Sequence, residues 1–115
     1  MYKYHEPQNV LSPRRCVNSV TPLYDGGEDE AFSLAIVNWQ GKDCIGIRWN
    51  ITHGEWDDEN KKSGQVTCVG EPNSRGYPTW FILPDDFLNQ IINGDSEIIN
   101  VIKSALDKIE QEEED

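Results

Sequence analysis

A chain of 115 residues with 21 acidic side chains against ten Lys and Arg carries a formal charge of −11, which disfavours non-specific attraction to phosphate backbones and anionic lipid. Its length fits one domain, able to bury roughly two-thirds of its unfolded surface without staples. No run approaches the ~18 apolar residues of a membrane span, and Met1-Tyr-Lys-Tyr-His-Glu6 lacks an apolar signal core, so a cytoplasmic protein is expected.

The first 13 residues show no clear period and hold Pro7 and Pro13, which reads as an irregular arm. Arg15 to Tyr24 suits a first strand, interrupted near Pro22 and closed by the turn Asp25-Gly-Gly27. Ala31 to Trp39 alternates, with Phe32, Leu34 and Ile36 on one face and Ser33, Ala35, Val37 and Trp39 on the other. Gln40-Gly41 makes a short hairpin turn. Asp43 to Ile51 follows as a strand, with Ile45, Ile47 and Trp49 opposite Cys44, Gly46 and Arg48. Residues 52–63, polar around Trp56, read as a loop, and Gln65 to Val69 as a short strand. Tyr77 to Leu83 forms the last strand, at a sheet edge or bulge because of Pro78.

The C-terminal third changes period. Pro84-Asp85-Asp86 opens a helix whose buried stripe is Phe87, Leu88, Ile91 and Ile92, and Asn93-Gly94 stops it. Asp95-Ser96 caps a second helix running to about Ile109, where Ile98, Ile102, Ala105 and Ile109 recur at helical spacing. This apolar face exceeds what one small sheet readily covers, so a homodimer is expected. The resulting expectation is an α+β domain over residues 1–109. It is a curved antiparallel sheet of four to five strands followed by two C-terminal helices, with an acidic tail at 110–115.

Charge placement refines the composition. Three acids fall in Glu28-Asp-Glu30, four between Glu55 and Glu59, and five between Glu110 and Asp115, leaving nine of the 21 against ten Lys and Arg. The body reads as near neutral with acidic decorations. The tail is then either a solvated end or a partner-binding segment.

Catalytic signatures are missing. There is no G-x-S-x-G elbow, phosphate-cradling glycine loop or His-Glu-x-x-His helix, so no enzyme is expected. His53, Glu55, Asp57 and Asp58 do not follow the calcium-loop spacing, and no metal or other cofactor is expected. Three cysteines (Cys16, Cys44, Cys68) make an odd count without a C-x-x-C pair, so no disulfide framework or zinc knuckle is expected.

Binding chemistry is richer. Trp39 to Asn50 and Gly70 to Phe87 contain three of the four tryptophans and two of the four arginines. Lys42, Arg48 and Arg75 could meet phosphates while Trp39, Trp49 and Trp80 stack on bases, which suits single-stranded nucleic acid. The same tryptophans could equally be core, and Arg48 could pair within a strand face. The alternative is an acidic module, of inhibitor or immunity type, that uses the acids at 55–59 and the tail against a basic protein.

Two resemblances bear on this choice. Val37-x-Trp39-x-Gly41-Lys42 leading into Ile45-x-Ile47-Arg48, then Arg75-Gly76, Phe81 to Leu83 and Asp86-Phe87-x-x-x-Ile91, resembles the single-stranded-DNA-binding domain of the positive cofactor four coactivators. This chain departs from that family in a long loop at 51–75, a helical region broken at Gly94, and an acidic surface. Gly46-Ile-Arg-Trp-Asn50 and Ser74-Arg-Gly-x-Pro-Thr-Trp-Phe-Ile-Leu-Pro84 more closely resemble small bacterial proteins of unassigned function found in mobile gene contexts. That second resemblance implies no activity.

Overall fold

The alternation of residues 32–39 places apolar side chains on both sides of one strand, and the fold is built around it. In the computed structural model, which describes residues 1–91 and 97–114, strand β2 (Phe32–Trp39) lies between β1 (Val17–Asp25) and β3 (Lys42–Trp49). Both neighbours are antiparallel to β2. Gln40 and Gly41 join β2 to β3 with φ of 53° and 91°, the paired positive values that a two-residue hairpin of matching twist requires. Two short strands, β4 (Asn73–Ser74) and β5 (Tyr77–Pro78), form a separate hairpin. Strand β6 (Phe81–Ile82) then completes the main four-stranded antiparallel sheet against β3.

The main sheet therefore has four strands, and two expected strands change character. Residues 77–83 divide into β5 and β6 around Thr79 and Trp80. Gln65 to Val69 contributes only an isolated parallel bridge between Cys68 and Tyr4. The loop at 52–63 holds a 3-10 turn, His53–Asp57, and one helical turn, α1 (Glu59–Lys62), capped by the Asp58 carboxylate.

Each sheet face has its own cover. Leu34, Ile36 and Ile45 pack with Leu88 of α2 (Asp85–Ile91) and with Ile102, Ala105 and Ile109 of α3 (Glu97–Glu114). The described core positions of α3 are thus covered by the sheet of the same chain. Phe87, expected in the buried stripe, is exposed instead, while Leu88 is buried. Helix α3 continues beyond Ile109 through the acidic run to Glu114. The expected stop at Asn93-Gly94, the cap at Asp95-Ser96 and Ile92 lie outside the described residues.

The opposite face is covered by the N-terminal arm and by Trp80. Val10, Val17, Ala35, Val37 and Trp80 form its core, and the Trp80 indole Nε1–H donates to the Val10 carbonyl at 2.8 Å. The arm carries a 3-10 turn at Pro7–Asn9. Its start is tied down further on, where the Cys68 amide donates to Lys3 O (2.7 Å) and Tyr2 packs edge-on against Trp56 at 4.7 Å.

Gly46 makes this second layer possible. A Cβ there would come within 2.8 Å of Val37 Cγ2 and 3.0 Å of Trp80 Cε3, so only a bare Cα lets the indole lie on the sheet. Gly46→Ala should therefore destabilise the protein by about 1–3 kcal/mol through overpacking. A urea melt followed by tryptophan fluorescence checks this, and an unchanged midpoint would mean the indole shifts freely.

Candidate binding surface

Arg48 lies on β3 at the sequence position that alternation assigns to the arm-side face. It is 2% exposed. Its guanidinium donates to three carbonyls of the following segment: Thr79 O at 2.5 Å, Pro72 O at 3.2 Å, and Val69 O. Its Nε finds no partner among the described residues. Burial lowers the Arg48 pKa to about 10, and the nearby Glu55 carboxylate acts in the opposite sense.

Glu55 works on the same segment with the other sign. Thr52-x-x-Glu55 is a capping box: the Glu55 carboxylate accepts from the Thr52 amide at 3.0 Å, where the 3-10 turn begins. It also accepts from the amides of Val69 (2.9 Å) and Gly70 (3.0 Å) and from the Lys61 ammonium at 2.7 Å. Burial alone would raise its pKa, but the Lys61 ammonium and the three amides hold it down to about 2. Gly70, at φ 73°, lies so close to β3 that a Cβ would run into Trp49 O and Arg48 Nη2.

With residues 69–72 fixed this way, Glu71 lines up beside Trp49. The two exchange backbone hydrogen bonds, Trp49 N to Glu71 O at 2.7 Å and Glu71 N to Trp49 O at 3.1 Å. Directly opposed residues of such a bridge have Cα atoms about 5.5 Å apart and project to the same face. On the other side Trp49 pairs with Phe32, the rings meeting edge-on at 6.4 Å, and Phe32 stacks at 5.0 Å on Tyr24. The next row holds Leu34, Ile47 and Phe81.

The helices cover the middle of this face and leave its Trp49 end open. Trp49 is 54% exposed and Phe81 58%. Between them lies a groove of about 560 Å³ with walls from Phe32, Ile47, Arg48, Trp49, Glu71, Pro72 and Phe81. A second hollow of about 520 Å³ adjoins it and shares Trp49 and Glu71. Its other walls include Asp29, Glu30, Thr52 and His53. Glu30 hydrogen-bonds Tyr24 and, with burial, raises the phenol pKa.

The six residues expected to bind nucleic acid do not converge. Arg48 and Trp80, the latter 4% exposed, are interior; the guanidinium is consumed by carbonyls and the indole by the Val10 contact. Trp39 is half-buried on the arm-side face with Trp80, away from Trp49. Lys42 is exposed at the opposite end of β3 from Trp49, about 23 Å away at ~3.3 Å per residue, with its ammonium 3.4 Å from Asp85. Arg75 is exposed at the β4–β5 turn with φ 53°. Of the six, Trp49 and the buried Arg48 line the groove, and only Trp49 presents an exposed side chain there. The reading missed Phe32, Glu71 and Phe81, and it placed Glu55 among the surface decorations although Thr52-x-x-Glu55 matches a capping box.

Among the described residues no three His, Cys, Asp or Glu side chains gather as a metal site requires, and the three cysteines are free thiols. No described helix is long and apolar enough to cross a membrane. Comparison with protein-family models, curated proteins and solved structures gives no match to this chain.

Two outcomes are expected from the buried charges. Arg48→Ala removes the donors of three enclosed carbonyls and should lower stability by about 3 kcal/mol, measurable as a reduced urea midpoint at an unchanged slope. A loss below about 0.5 kcal/mol, the usual size for a surface change, would show that water replaces the guanidinium.

The second outcome is a pH dependence with a defined sign. Burial, then the Arg48 charge, lowers the His5 pKa in the fold below its ordinary 6.5, so the unfolded chain takes up that proton first and stability falls as pH drops below 6.5. The depressed Glu55 pKa contributes stability that is complete above 4.5 and lost as pH falls towards 2. Melting temperatures should decline in two acid limbs, with His5→Gln flattening the first and Glu55→Gln the second.

Proposed function

We propose that this chain is a non-enzymatic protein-binding module that holds a basic partner through the aromatic groove at the Trp49 end of the sheet. The observation carrying this reading is that Trp49 and Phe81 stay more than half exposed beside Phe32 and Ile47, while the helices bury Leu34, Ile36 and Ile45 on the same face. Large aromatic side chains left open around a concave site are typical anchors of protein interfaces. The rim supplies Glu71, Glu30 and Asp29, and a net charge of −11 attracts a cationic surface and repels a phosphate backbone. Association across this patch by a second copy would bring two such charges together.

Selection from a displayed random-peptide library tests the reading. The wild-type protein should enrich apolar, positively charged peptides, and a Trp49→Ser, Phe81→Ser double variant should lose them. A labelled single-stranded oligonucleotide should show no saturable binding at low salt. Oligonucleotide affinity that falls with salt at a log–log slope near −0.7 per phosphate contact, unaffected by the double variant, would instead establish the nucleic-acid alternative.

A further inference from the structure

We infer that the partner is read by two adjoining subsites: an apolar side chain fills the Phe32–Ile47–Phe81 groove, and a neighbouring arginine or lysine crosses Trp49 into the acidic hollow beside it. This rests on the protein-binding reading and specifies what that site recognises.

The two hollows share one wall, made of Trp49 and Glu71. These residues oppose each other across an antiparallel bridge, so the indole and the carboxylate stand side by side on one face. The groove on one side of the wall is aromatic and aliphatic. The hollow on the other carries Asp29 and Glu30, with Glu71 between the two. A cation lying over the exposed indole gains its quadrupole attraction and is met by carboxylates at the end of its stem. The one cationic side chain lining the groove does not cancel this complement, because Arg48 is 2% exposed and its guanidinium is turned onto three carbonyls. An apolar residue alone would use only half of the open surface. A cation alone would leave Phe81 and Phe32 uncovered.

The backbone of the wall is fixed on both strands, which suits recognition over simple stickiness. Phe32 braces the indole edge-on, and the Glu71 backbone is tied by both of its hydrogen bonds to Trp49. The Gly70 amide immediately before it is fixed by Glu55. A ligand therefore meets a preformed site and loses little affinity to ordering it.

The probes are acetyl-Gly-Phe-Gly-Arg-Gly-amide and its twin with citrulline, an uncharged isostere, in place of arginine. Titration into the 15N-labelled full chain reads the Trp49 indole N–H, assigned from a Trp49→Phe spectrum, and the Phe81 amide. Both signals should move with the arginine peptide, which should bind on the order of fivefold more tightly than the citrulline peptide, as about 1 kcal/mol of cation–π and carboxylate attraction implies. Glu71→Gln should bring the ratio of the two affinities towards one. Equal binding of both peptides by the wild type would overturn the cationic subsite while leaving the aromatic groove as a protein-binding site. Failure of both peptides to move either signal at millimolar concentration would overturn the groove as well.

Discussion

The peptide unit around Val69 is held between two buried charges of opposite sign, and much of the molecule depends on that arrangement. Its N–H donates to the Glu55 carboxylate and its C=O accepts from the Arg48 guanidinium. A segment from 69 to 79 that lacks a long ladder of its own is thereby given partners for its backbone. Enclosed polar backbone groups require this, because each unsatisfied one costs on the order of 1–3 kcal/mol. Arginine suits the first position because its planar fork reaches several carbonyls at once, which a lysine ammonium cannot do in one geometry. Both charges are nearly enclosed, Arg48 at the inner wall of the groove and Glu55 behind it, so the pair acts on function mainly through what it positions.

What it positions is the uncovered end of the sheet. The short hairpin of β4 and β5, the edge strand β6 and the Trp80 indole all follow from where residues 69–79 are pinned. Trp80 turns inward to meet Val10, and its sequence neighbour Phe81 faces the other way, beside Ile47. The alternation that buries one aromatic ring exposes the next. On that second face, α2 and α3 reach Leu34, Ile36 and Ile45 but leave Phe32, Trp49 and Phe81 as the open rows of the same pleated surface. The groove is therefore a consequence of helix placement over a sheet face whose apolar rows run past the helices to Phe32 and Trp49.

The legible part of this fold was the part governed by periodicity. The strands at 17–25, 32–39 and 42–49, the tight turn at Gln40-Gly41 and a C-terminal amphipathic helix follow from spacing and turn chemistry. So does the division of β3 into two faces. Periodicity says which side chains share a face and nothing about what covers it. Arg48 looked like a platform because the arm was read as irregular and left its face to solvent, whereas Val10 and Trp80 close that face. Gln65 to Val69 looked like a strand because Val66, Thr67 and Val69 are β-branched. Its backbone instead serves Tyr4, Glu55 and Arg48, contacts between residues 14 to 64 positions apart that no local pattern encodes. The candidate groove was legible only at Trp49 and its neighbour Arg48, because Phe32 and Glu71 join them through pairing across strands.

Counting acids along the chain conceals a difference in what they do. Several acids of the two loop clusters are structural: Glu55 is interior, Glu28 accepts from the Tyr2 amide at 3.2 Å, and Asp58 caps α1. Just before the first cluster, Asp25 binds the Tyr4 hydroxyl, whose pKa burial and then that carboxylate raise to about 12, and also the Gly27 amide. Asn50, itself buried, bonds Ser33 Oγ at 2.7 Å and Gly27 O at 2.9 Å, fixing the turn that leads to Asp29 and Glu30. The acids beside the groove thus stand on a braced turn, and Glu71 stands on a braced strand end. Buried Glu55 and Arg48 offset each other, so the net −11 is carried by groups outside that pair. Asp29, Glu30 and Glu71 stand where that field meets the exposed indole of Trp49. Electrostatic attraction of a cationic partner and short-range recognition at the groove then act on the same side of the molecule, and a partner drawn in by charge arrives where the aromatic rings are open.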